Sequence, residues 1–214
     1  MNRKKAIETF PQIYKEIKKM SPPHHFEFKD PFWVLITTML SHRTKDEVTD
    51  AAARSLYNKY RTAENLSRAD VRDVRKLIAR VGFSNVKSQR IINAARLIVN
   101  EFGGKVPERL EDMTRIPGVG RKTANVVLSD SMSIPAIAVD THVQRISVRI
   151  GWSRSSDPEE TELILKKIVP KKMWIGFNPT MVEFGKTICR PVHPLCEKCK
   201  INKYCEYYRR TKRD

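Results

Sequence analysis

The sequence lacks the features that define several protein classes. Glycine occurs only eight times in 214 residues, against twelve prolines, so the composition is not that of a collagen or a linker array. No apolar run approaches the ~18 residues that a membrane helix needs. The N-terminal segment MNRKKAIETFPQIYKEIKKM is basic and amphipathic, without the apolar block and cleavage site of a signal peptide. These absences predict a globular, soluble and intracellular protein of the cytoplasm or nucleoid.

Negative charge is scarce relative to positive charge. The chain has 41 lysines and arginines against 24 acidic residues, which gives a formal net charge of +17. Such an excess favours a polyanionic partner, because each neutralised phosphate releases condensed counterions. The basic residues are spread along the chain, and a lysine-rich surface that maintains solubility is the alternative interpretation. Charge therefore favours a nucleic-acid partner without deciding between the two.

Strict alternation of apolar and polar residues, the pattern of a half-buried strand, is rare in this chain. Apolar residues recur at helical spacing instead, and IPAIAV (134–139) is the only strand-like run. The spacing predicts helices at 3–20, 30–41, 45–60, 86–102, 158–168 and 173–187, one or two short helices before Gly82, a helix–turn–helix over 106–131, and a helix entered from 135–150. The sequence therefore predicts an all-α fold.

Cysteine is absent from the chain before position 189. All four cysteines follow within a short segment, in the pattern C-x6-C-x2-C-x5-C. An intracellular chain disfavours disulfides. Tetrahedral zinc sites commonly use C-x2-C pairs, and only one such pair is present, whereas an iron–sulfur cubane accepts four thiolates from a looped path. The spacing predicts a structural metal site and leaves zinc and an iron–sulfur cluster both open.

The segment IPGVGRKTANVVL (116–128) opens with a glycine-rich turn that is too short for a phosphate loop of the GxxxxGK[ST] type. We interpret it as a turn between two helices. Pro117 and Gly118 set the bend, and Gly120 allows the backbone to approach another group. Free amides at the start of the second helix would bind a phosphate without reading base identity. A purely structural helical hairpin is the alternative.

Lys122 lies in the first turn of that second helix, where the helix dipole disfavours a cation. This position indicates a chemical role. Desolvation and the neighbouring Arg121 would lower the pKa of Lys122 and yield a neutral amine, which can attack a sugar carbon and form a Schiff base. Asp140, followed by Thr141 and His142, could act as a base or stabilise positive charge. A surface lysine and a helix N-cap aspartate are the alternatives.

Taken together, IPGVGRKTANVVL, VDTH and the cysteine pattern resemble the endonuclease III branch of the helix-hairpin-helix DNA glycosylases, from about residue 25 to Tyr207. The resemblance implies two helical domains flanking a DNA-binding cleft that holds the active site. A six-helix domain with the hairpin would span 25–135. The second domain would combine 1–24 with 136–214 and carry a [4Fe–4S] cluster in 189–205. The implied partner is double-stranded DNA with a damaged base or AP site, bound by a monomer away from any membrane.

The resemblance also implies residue roles. Lys122 would attack C1′ of the damaged nucleotide, and Asp140 would be the essential aspartate. A lysine at this position implies base removal followed by strand cleavage through β-elimination, with the target nucleotide flipped out of the duplex. The implied cluster ligands are Cys189, Cys196, Cys199 and Cys205, and the implied hairpin contacts to the DNA backbone are Ile116, Gly118, Val119, Gly120 and Arg121.

Two segments depart from the family pattern. GFSNVK (82–87) aligns with a loop that inserts a side chain into the gap left by the flipped base, and Phe83 stands where leucine is frequent. LSHRTKD (40–46) aligns with a helix–turn that reads LSAQATD in well-known relatives and contacts the opposite strand. His42 and Arg43 therefore replace a small residue and a glutamine. We also expect His142, in VDTH, to contact DNA.

The leading hypothesis is a bifunctional DNA glycosylase and AP lyase in base-excision repair, acting on oxidised pyrimidines such as thymine glycol. A uracil or thymine mismatch glycosylase on the same scaffold is one alternative. A non-catalytic DNA-binding module with a structural zinc is the alternative from another class.

Overall fold

The computed structural model describes residues 1–24 and 27–212. Within them the secondary structure is helical and includes no strand, which confirms the predicted all-α fold. The α-helices are α1 Arg3–Met20, α2 Pro31–Ser41, α3 Asp46–Tyr60, α4 Ala63–Ser67, α5 Val71–Leu77, α6 Ser84–Phe102, α7 Leu110–Met113, α8 Arg121–Asp130, α9 Thr141–Ile150, α10 Pro158–Ile168, α11 Phe177–Thr187 and α12 Glu206–Thr211. Every helix in the described residues is too short or too polar to span a bilayer.

Capping residues fix several helix starts. The Asn2 side chain accepts a hydrogen bond from the first turn of α1 at 2.9 Å. Asp30 Oδ1 accepts one from the Trp33 amide at 3.1 Å, and Pro31 occupies the first position of α2. Asp157 caps α10 in the same way, at 3.0 Å. Each side chain satisfies an amide that has no partner within its own helix, so the starts follow from local sequence.

The strand-like run at 134–139 forms neither a strand nor a helix. Ile137 and Val139 lie in an apolar core, and the Ala138 carbonyl accepts a hydrogen bond from the Asn178 side chain at 3.1 Å. A side-chain donor here takes the place of a strand partner. The apolar composition of the run therefore reflects burial, and the helix predicted from 135–150 begins only at Thr141.

Internal contacts divide the chain into two units, Phe26–Ile134 and Met1–His25 with Pro135–Asp214. The predicted domain boundary at residue 25 and the predicted end at residue 214 lie outside the described residues. In the Phe26–Ile134 unit, α2 is buried on most sides. Its Leu35, Ile36 and Leu40 are fully enclosed by α3, α6 and α8. This helix carries the 42–44 turn at its C-terminal end.

The unit formed by Met1–His25 and Pro135–Asp214 has its own apolar core. Phe10 stacks on Tyr14 with ring centroids 5.3 Å apart and meets Trp152 at the same distance. Phe177, at the start of α11, packs against both α1 rings. Helix α11 leads directly into the cysteine segment, where short 3₁₀ turns at Cys196–Lys198 and Asn202–Tyr204 precede α12.

Candidate functional site

The turn between α7 and α8 requires glycine at position 118. Gly118 has φ +82°, and a Cβ there would lie 3.1 Å from Met39 Cε and 3.2 Å from Arg90 Cδ. The Ile116 and Val119 side chains are only 2% and 5% exposed. These two predicted DNA contacts can therefore be made only through the backbone. The turn therefore buries these two side chains, and the Val119 amide closes it by donating to the Ile116 oxygen at 3.0 Å.

Gly120 is the N-cap of α8. Apart from Gly120 itself and its two chain neighbours, no described atom lies within 4 Å of the place where its Cβ would stand, so the group that the sequence predicts to approach Gly120 does not come from the described protein. The open space borders the first amides of α8, where the helix dipole favours an anion. The geometry suits a phosphate that arrives from outside.

Lys122 is the second residue of α8, as the sequence predicts, and is half-buried together with Arg121. The next side chain, Thr123, is buried, and its Oγ1 lies 3.3 Å from His42 Nε2. The His42 residue as a whole is exposed, but its ring is partly buried. This partial burial is the main cause that lowers the pKa of His42, and the positive charge of Lys122 is the second. Lys122 and His42 are therefore electrostatic neighbours in the same unit.

Asp140 is the N-cap of α9, in the unit formed by Met1–His25 and Pro135–Asp214. Its Oδ1 accepts hydrogen bonds from the amides of His142 at 2.9 Å and Val143 at 2.8 Å. Asp140 is thus an N-cap, as the alternative interpretation expects, but the cap uses only Oδ1 and leaves Oδ2 outside it. The His142 ring lies 3.2 Å from the Arg145 guanidinium, and burial lowers the pKa of His142 while Asp140 partly opposes that effect.

Arg43 and Phe83 stand together on two turns with unusual backbone geometry. Their φ angles are +54° and +60°, a region that non-glycine residues occupy at a cost of about 1–3 kcal/mol. The guanidinium carbon lies 5.7 Å from the ring centroid, and Phe83 is 61% exposed. The pair lines a groove with about 360 Å³ of space open to water, together with Met39, His42, Val86, Lys87, Arg90, Ile91 and Gly118.

Sequence reasoning missed Lys87, whose side chain is only 7% exposed. Its Nζ donates hydrogen bonds to the backbone oxygens of Leu40 and His42, both at 2.6 Å, and to Thr44 Oγ1 at 3.2 Å. Burial lowers the pKa of Lys87. A signal was available, because Lys87 lies four residues before Ile91 on the apolar stripe of α6. A lysine at such a position indicates a buried cation with a specific set of acceptors.

The four cysteines line one cavity, within the unit that contains α11 and α12. Its other walls are largely apolar. The described residues contain no group of three or more histidines, cysteines or acids placed to hold a single metal ion. The four thiolates of a cubane each bind a different iron, so they surround the cluster and need not converge on one metal ion. Cysteines lining a shared apolar cavity fit that donor arrangement.

Burial raises the pKa of Cys199 to about 11 and raises the pKa values of Cys196 and Cys205 as well. The protein alone therefore holds these thiols protonated at neutral pH. Thiolate formation needs the positive charge of bound metal, so metal binding releases protons.

Two arginines of α9 contact the cysteine segment. Arg145 donates to the Cys189 oxygen at 2.9 Å and to the Gly185 oxygen at 3.0 Å. One Arg149 nitrogen donates to the Arg190 oxygen at 2.6 Å and lies 3.5 Å from Cys189 Sγ. The sequence pattern of the cysteines gave no sign of this i, i+4 pair, which lies about 40 residues earlier in the chain. Helix α9, which Asp140 caps, thus binds the backbone of the first cysteine.

Comparison with known proteins places these features in one family. Residues 36–171 match the HhH-GPD superfamily of base excision DNA repair proteins. Endonuclease III of Thermotoga maritima is 48% identical over 199 residues, covering 93% of each chain. Endonuclease III of Synechocystis is 36% identical over 192 residues, covering 88% of each.

Solved structures show the same similarity. A trapped endonuclease III–DNA covalent intermediate superposes with a TM-score of 0.90 at 32% identity, covering 99% of both chains. A thermostable thymine-DNA glycosylase superposes with a TM-score of 0.87 at 26% identity, covering 97% of this chain and 98% of that one. The chain therefore belongs to the HhH-GPD superfamily of base excision DNA repair proteins and, within it, to the endonuclease III family of DNA glycosylase/AP lyases.

Proposed function

We propose that Lys122 is the nucleophile with which this protein removes an oxidised pyrimidine from double-stranded DNA and then cleaves the strand. The observation that carries the proposal is the position of Lys122 in the first turn of α8, directly after the open space at Gly120. A phosphate bound at the amides of α8 would bring the deoxyribose of a nearby nucleotide to the lysine. The duplex must release that nucleotide from its stack first.

The chemistry follows from a neutral amine at Lys122. Nζ attacks C1′, the glycosidic C1′–N bond breaks, and the base leaves with the bonding electrons and takes up a proton. Loss of a proton from Nζ and opening of the sugar ring give a Schiff base between Nζ and C1′. Removal of a C2′ proton then expels the 3′ phosphate by β-elimination, and water releases the remaining sugar from the lysine. The products are a free base and a nicked strand.

Asp140 would support this reaction as a base or as a carboxylate that stabilises the cationic intermediate. Its cap on α9 uses Oδ1 alone, so the helix fixes the carboxylate while Oδ2 takes no part in the cap. We propose that the backbone of 116–120, with the Arg121 side chain, holds DNA phosphates. Phe83, His42 and Arg43 would then contact the site of the flipped nucleotide and the opposite strand.

The cysteine cavity would hold a [4Fe–4S] cluster through Cys189, Cys196, Cys199 and Cys205. When bound, such a cluster supplies four metal–thiolate bonds that cross-link a segment with little regular structure. Arg145 and Arg149 would hold the loop against α9 and offset the charge of the thiolates. In this proposal the site serves structure, and the protein acts as a monomer.

Borohydride trapping tests the lysine directly. With a duplex that contains thymine glycol or an AP site, borohydride should reduce the Schiff base and leave wild-type protein cross-linked to DNA. Lys122→Ala should form no cross-link and should lose β-elimination by at least about 10³-fold, the loss expected when a covalent nucleophile is removed. Lys76→Ala, an exposed lysine of α5, is the matched control and should behave as wild type. Wild-type nicking by Lys122→Ala would contradict the proposal.

A lesion panel and a visible spectrum separate the alternatives. Thymine glycol, dihydrouracil, AP, G·U and G·T duplexes are compared under single-turnover conditions, and we expect the oxidised pyrimidines to react fastest. Faster reaction of G·T or G·U would favour the mismatch glycosylase. A brown protein with broad absorption at about 400 nm supports the iron–sulfur cluster, whereas a colourless protein with one bound zinc would contradict it.

A further inference from the structure

We propose that Lys87 is a positioning residue, whose buried side chain holds the 42–44 turn so that Arg43 stands beside Phe83 for insertion into DNA. This inference rests on the proposed function, since it needs Arg43 and Phe83 to contact the damaged duplex. Lys87 would thus affect DNA recognition without contacting the DNA, because its side chain is buried.

Lys87 joins the two turns by separate bonds. Its backbone amide donates to the Phe83 oxygen at 3.0 Å, which fixes Phe83 at the start of α6. Its Nζ reaches across to three oxygens in 40–44, at 2.6, 2.6 and 3.2 Å. The three N–H donors of an ammonium are thereby matched by three acceptors on the neighbouring segment. One residue thus sets the position of both turns.

The 42–44 turn needs such a partner. Helix α2 ends at Ser41, and besides the short bond from Lys87 the His42 oxygen accepts a long hydrogen bond from the Thr44 hydroxyl, at 3.4 Å. Arg43 then takes a left-handed conformation, with φ +54°, which is strained for a non-glycine residue and persists only where surrounding contacts enforce it. The bonds from Lys87 flank Arg43 on both sides, at His42 and at Thr44. They add to the backbone bond from the Thr44 amide to the Ser41 oxygen at 3.0 Å, which closes the turn around Arg43.

Backbone packing brings the second turn up to the first. A Cβ on Gly82 would lie 2.8 Å from the Arg43 oxygen, so the residue before Phe83 must be glycine for the two turns to touch. The touching turns bring the Arg43 guanidinium over the Phe83 ring. Without the Lys87 side chain, the 42–44 turn could relax away from Gly82, and the two side chains would enter DNA independently. The hydrogen bonds of the Lys87 side chain, which we call the clamp, therefore make Arg43 and Phe83 act as a pair.

A double-mutant cycle tests the clamp. We measure binding of full-length protein to a duplex with a non-cleavable AP-site analogue, and the fluorescence of 2-aminopurine opposite that site. The variants are Lys87→Met, Arg43→Ala and the double variant. Lys87→Met should weaken binding roughly tenfold and reduce the fluorescence change, because residues in one contacting network are energetically coupled. In the Arg43→Ala background, Lys87→Met should weaken binding by less than about threefold.

Arg96→Met is the matched control. Arg96 is another cation of α6 that donates to a backbone oxygen, that of Ser67 at 2.9 Å, and it is not among the groove residues. It should leave AP-site binding and 2-aminopurine fluorescence unchanged at equal folded fraction, checked by thermal unfolding. If Lys87→Met fails to fold, Thr44→Val removes one of the three acceptors and should give a smaller loss with the same dependence on Arg43.

Two results would overturn the inference. One is additivity, with Lys87→Met losing as much affinity in the Arg43→Ala background as in wild type. The other is an equal loss for Arg96→Met, which would make the effect a general one of stability. Failure of the proposed function is distinguishable, because wild-type protein would then bind the AP-site duplex no better than undamaged duplex.

Discussion

Two turns of the Phe26–Ile134 unit differ in which part of the chain they expose to solvent. The hairpin at 116–120 buries the side chains of Ile116 and Val119 and leaves its backbone open to a ligand. The 42–44 turn, with Phe83 beside it, exposes side chains and holds their backbone in strained conformations with a buried lysine. The first turn depends on Gly118, whereas in our proposal the second depends on the buried Lys87 side chain as well as on Gly82.

The difference fits two tasks in DNA recognition. Backbone amides bind phosphates, which are alike at every nucleotide, so a turn that presents only amides positions the DNA without reading it. Side chains such as Arg43 and Phe83 differ in shape and charge, and can respond to a gap or to the opposite base. Strain at a functional turn is expected when the geometry serves ligand binding rather than stability. The following predictions test this contrast.

The largest expected effect is on the hairpin. Gly118→Ala should lower the free energy of unfolding by about 2 kcal/mol, because alanine there is strained at φ +82° and its Cβ would press on Met39 and Arg90. Gly120→Ala should change it by no more than about 0.5 kcal/mol, since φ is −92° and the space is open. Urea unfolding measures both.

The same pair separates stability from DNA binding. The Gly120→Ala methyl occupies the space that we assign to a phosphate, so this variant should weaken binding to damaged and undamaged duplexes alike. A Gly120→Ala protein with unchanged affinity for both duplexes would contradict the assignment of phosphate binding to this turn. A fully stable Gly118→Ala protein would show that the hairpin does not depend on glycine.

At the second turn we expect a substitution that increases stability and weakens DNA binding. Phe83→Gly should raise the free energy of unfolding by about 0.5–1 kcal/mol, because glycine adopts φ +60° without strain and the lost ring is mostly exposed. The same variant should bind an AP-site duplex roughly tenfold more weakly, as expected when a wedge side chain is removed. Urea unfolding and fluorescence anisotropy measure the two effects.

Phe83→Leu provides the control, because it keeps an apolar wedge of the kind frequent in the family. It should retain most of the preference for AP-site duplex over undamaged duplex. A Phe83→Gly protein that is more stable and binds damaged DNA as wild type does would show that the ring is not a wedge. The contrast between the turns would then rest on Arg43 alone.

The helical framework was predictable because its signals are local. Helix α2 starts at Asp30–Pro31, a cap followed by a proline, and α9 starts after Asp140 for the same physical reason. The misplaced charge of Lys122 drew attention to the first turn of α8, where the structure places it. Each of these expectations depends on residues within one turn of the feature, and the sequence contains them directly.

The parts that sequence reasoning missed depend on contacts between distant residues. Lys87 binds oxygens more than 40 positions away, and Arg145 reaches Cys189 across a similar separation. The buried run at 134–139 has the composition of a strand, yet it has no strand partner within the described residues, so burial alone explains its apolar character. Amphipathic patterns locate a buried cation on a helix face but do not name its acceptors.

The smallest expected effect concerns His42, which belongs to the strained turn yet touches α8 through Thr123. Burial lowers its pKa, and so does the positive charge of Lys122 on α8 and of Lys87 and Arg90 on α6. The folded pKa is then below the unfolded value near 6.5, so the unfolded chain binds more protons between the two values. Stability must rise as pH rises through that window. The penalty is fully present below the folded pKa and absent above the unfolded one.

His42→Gln removes the titrating group and keeps a polar side chain near Thr123. Urea unfolding at about pH 5 and about pH 7.5 should therefore show the variant gaining stability relative to wild type at the lower pH, with no such gain at the higher one. Parallel curves at both pH values would mean that neither burial nor the cations of α6 and α8 lower the pKa of His42. A gain confined to low pH would instead show that burial, together with the positive charges of Lys122, Lys87 and Arg90, disfavours the protonated form of His42 in the folded turn.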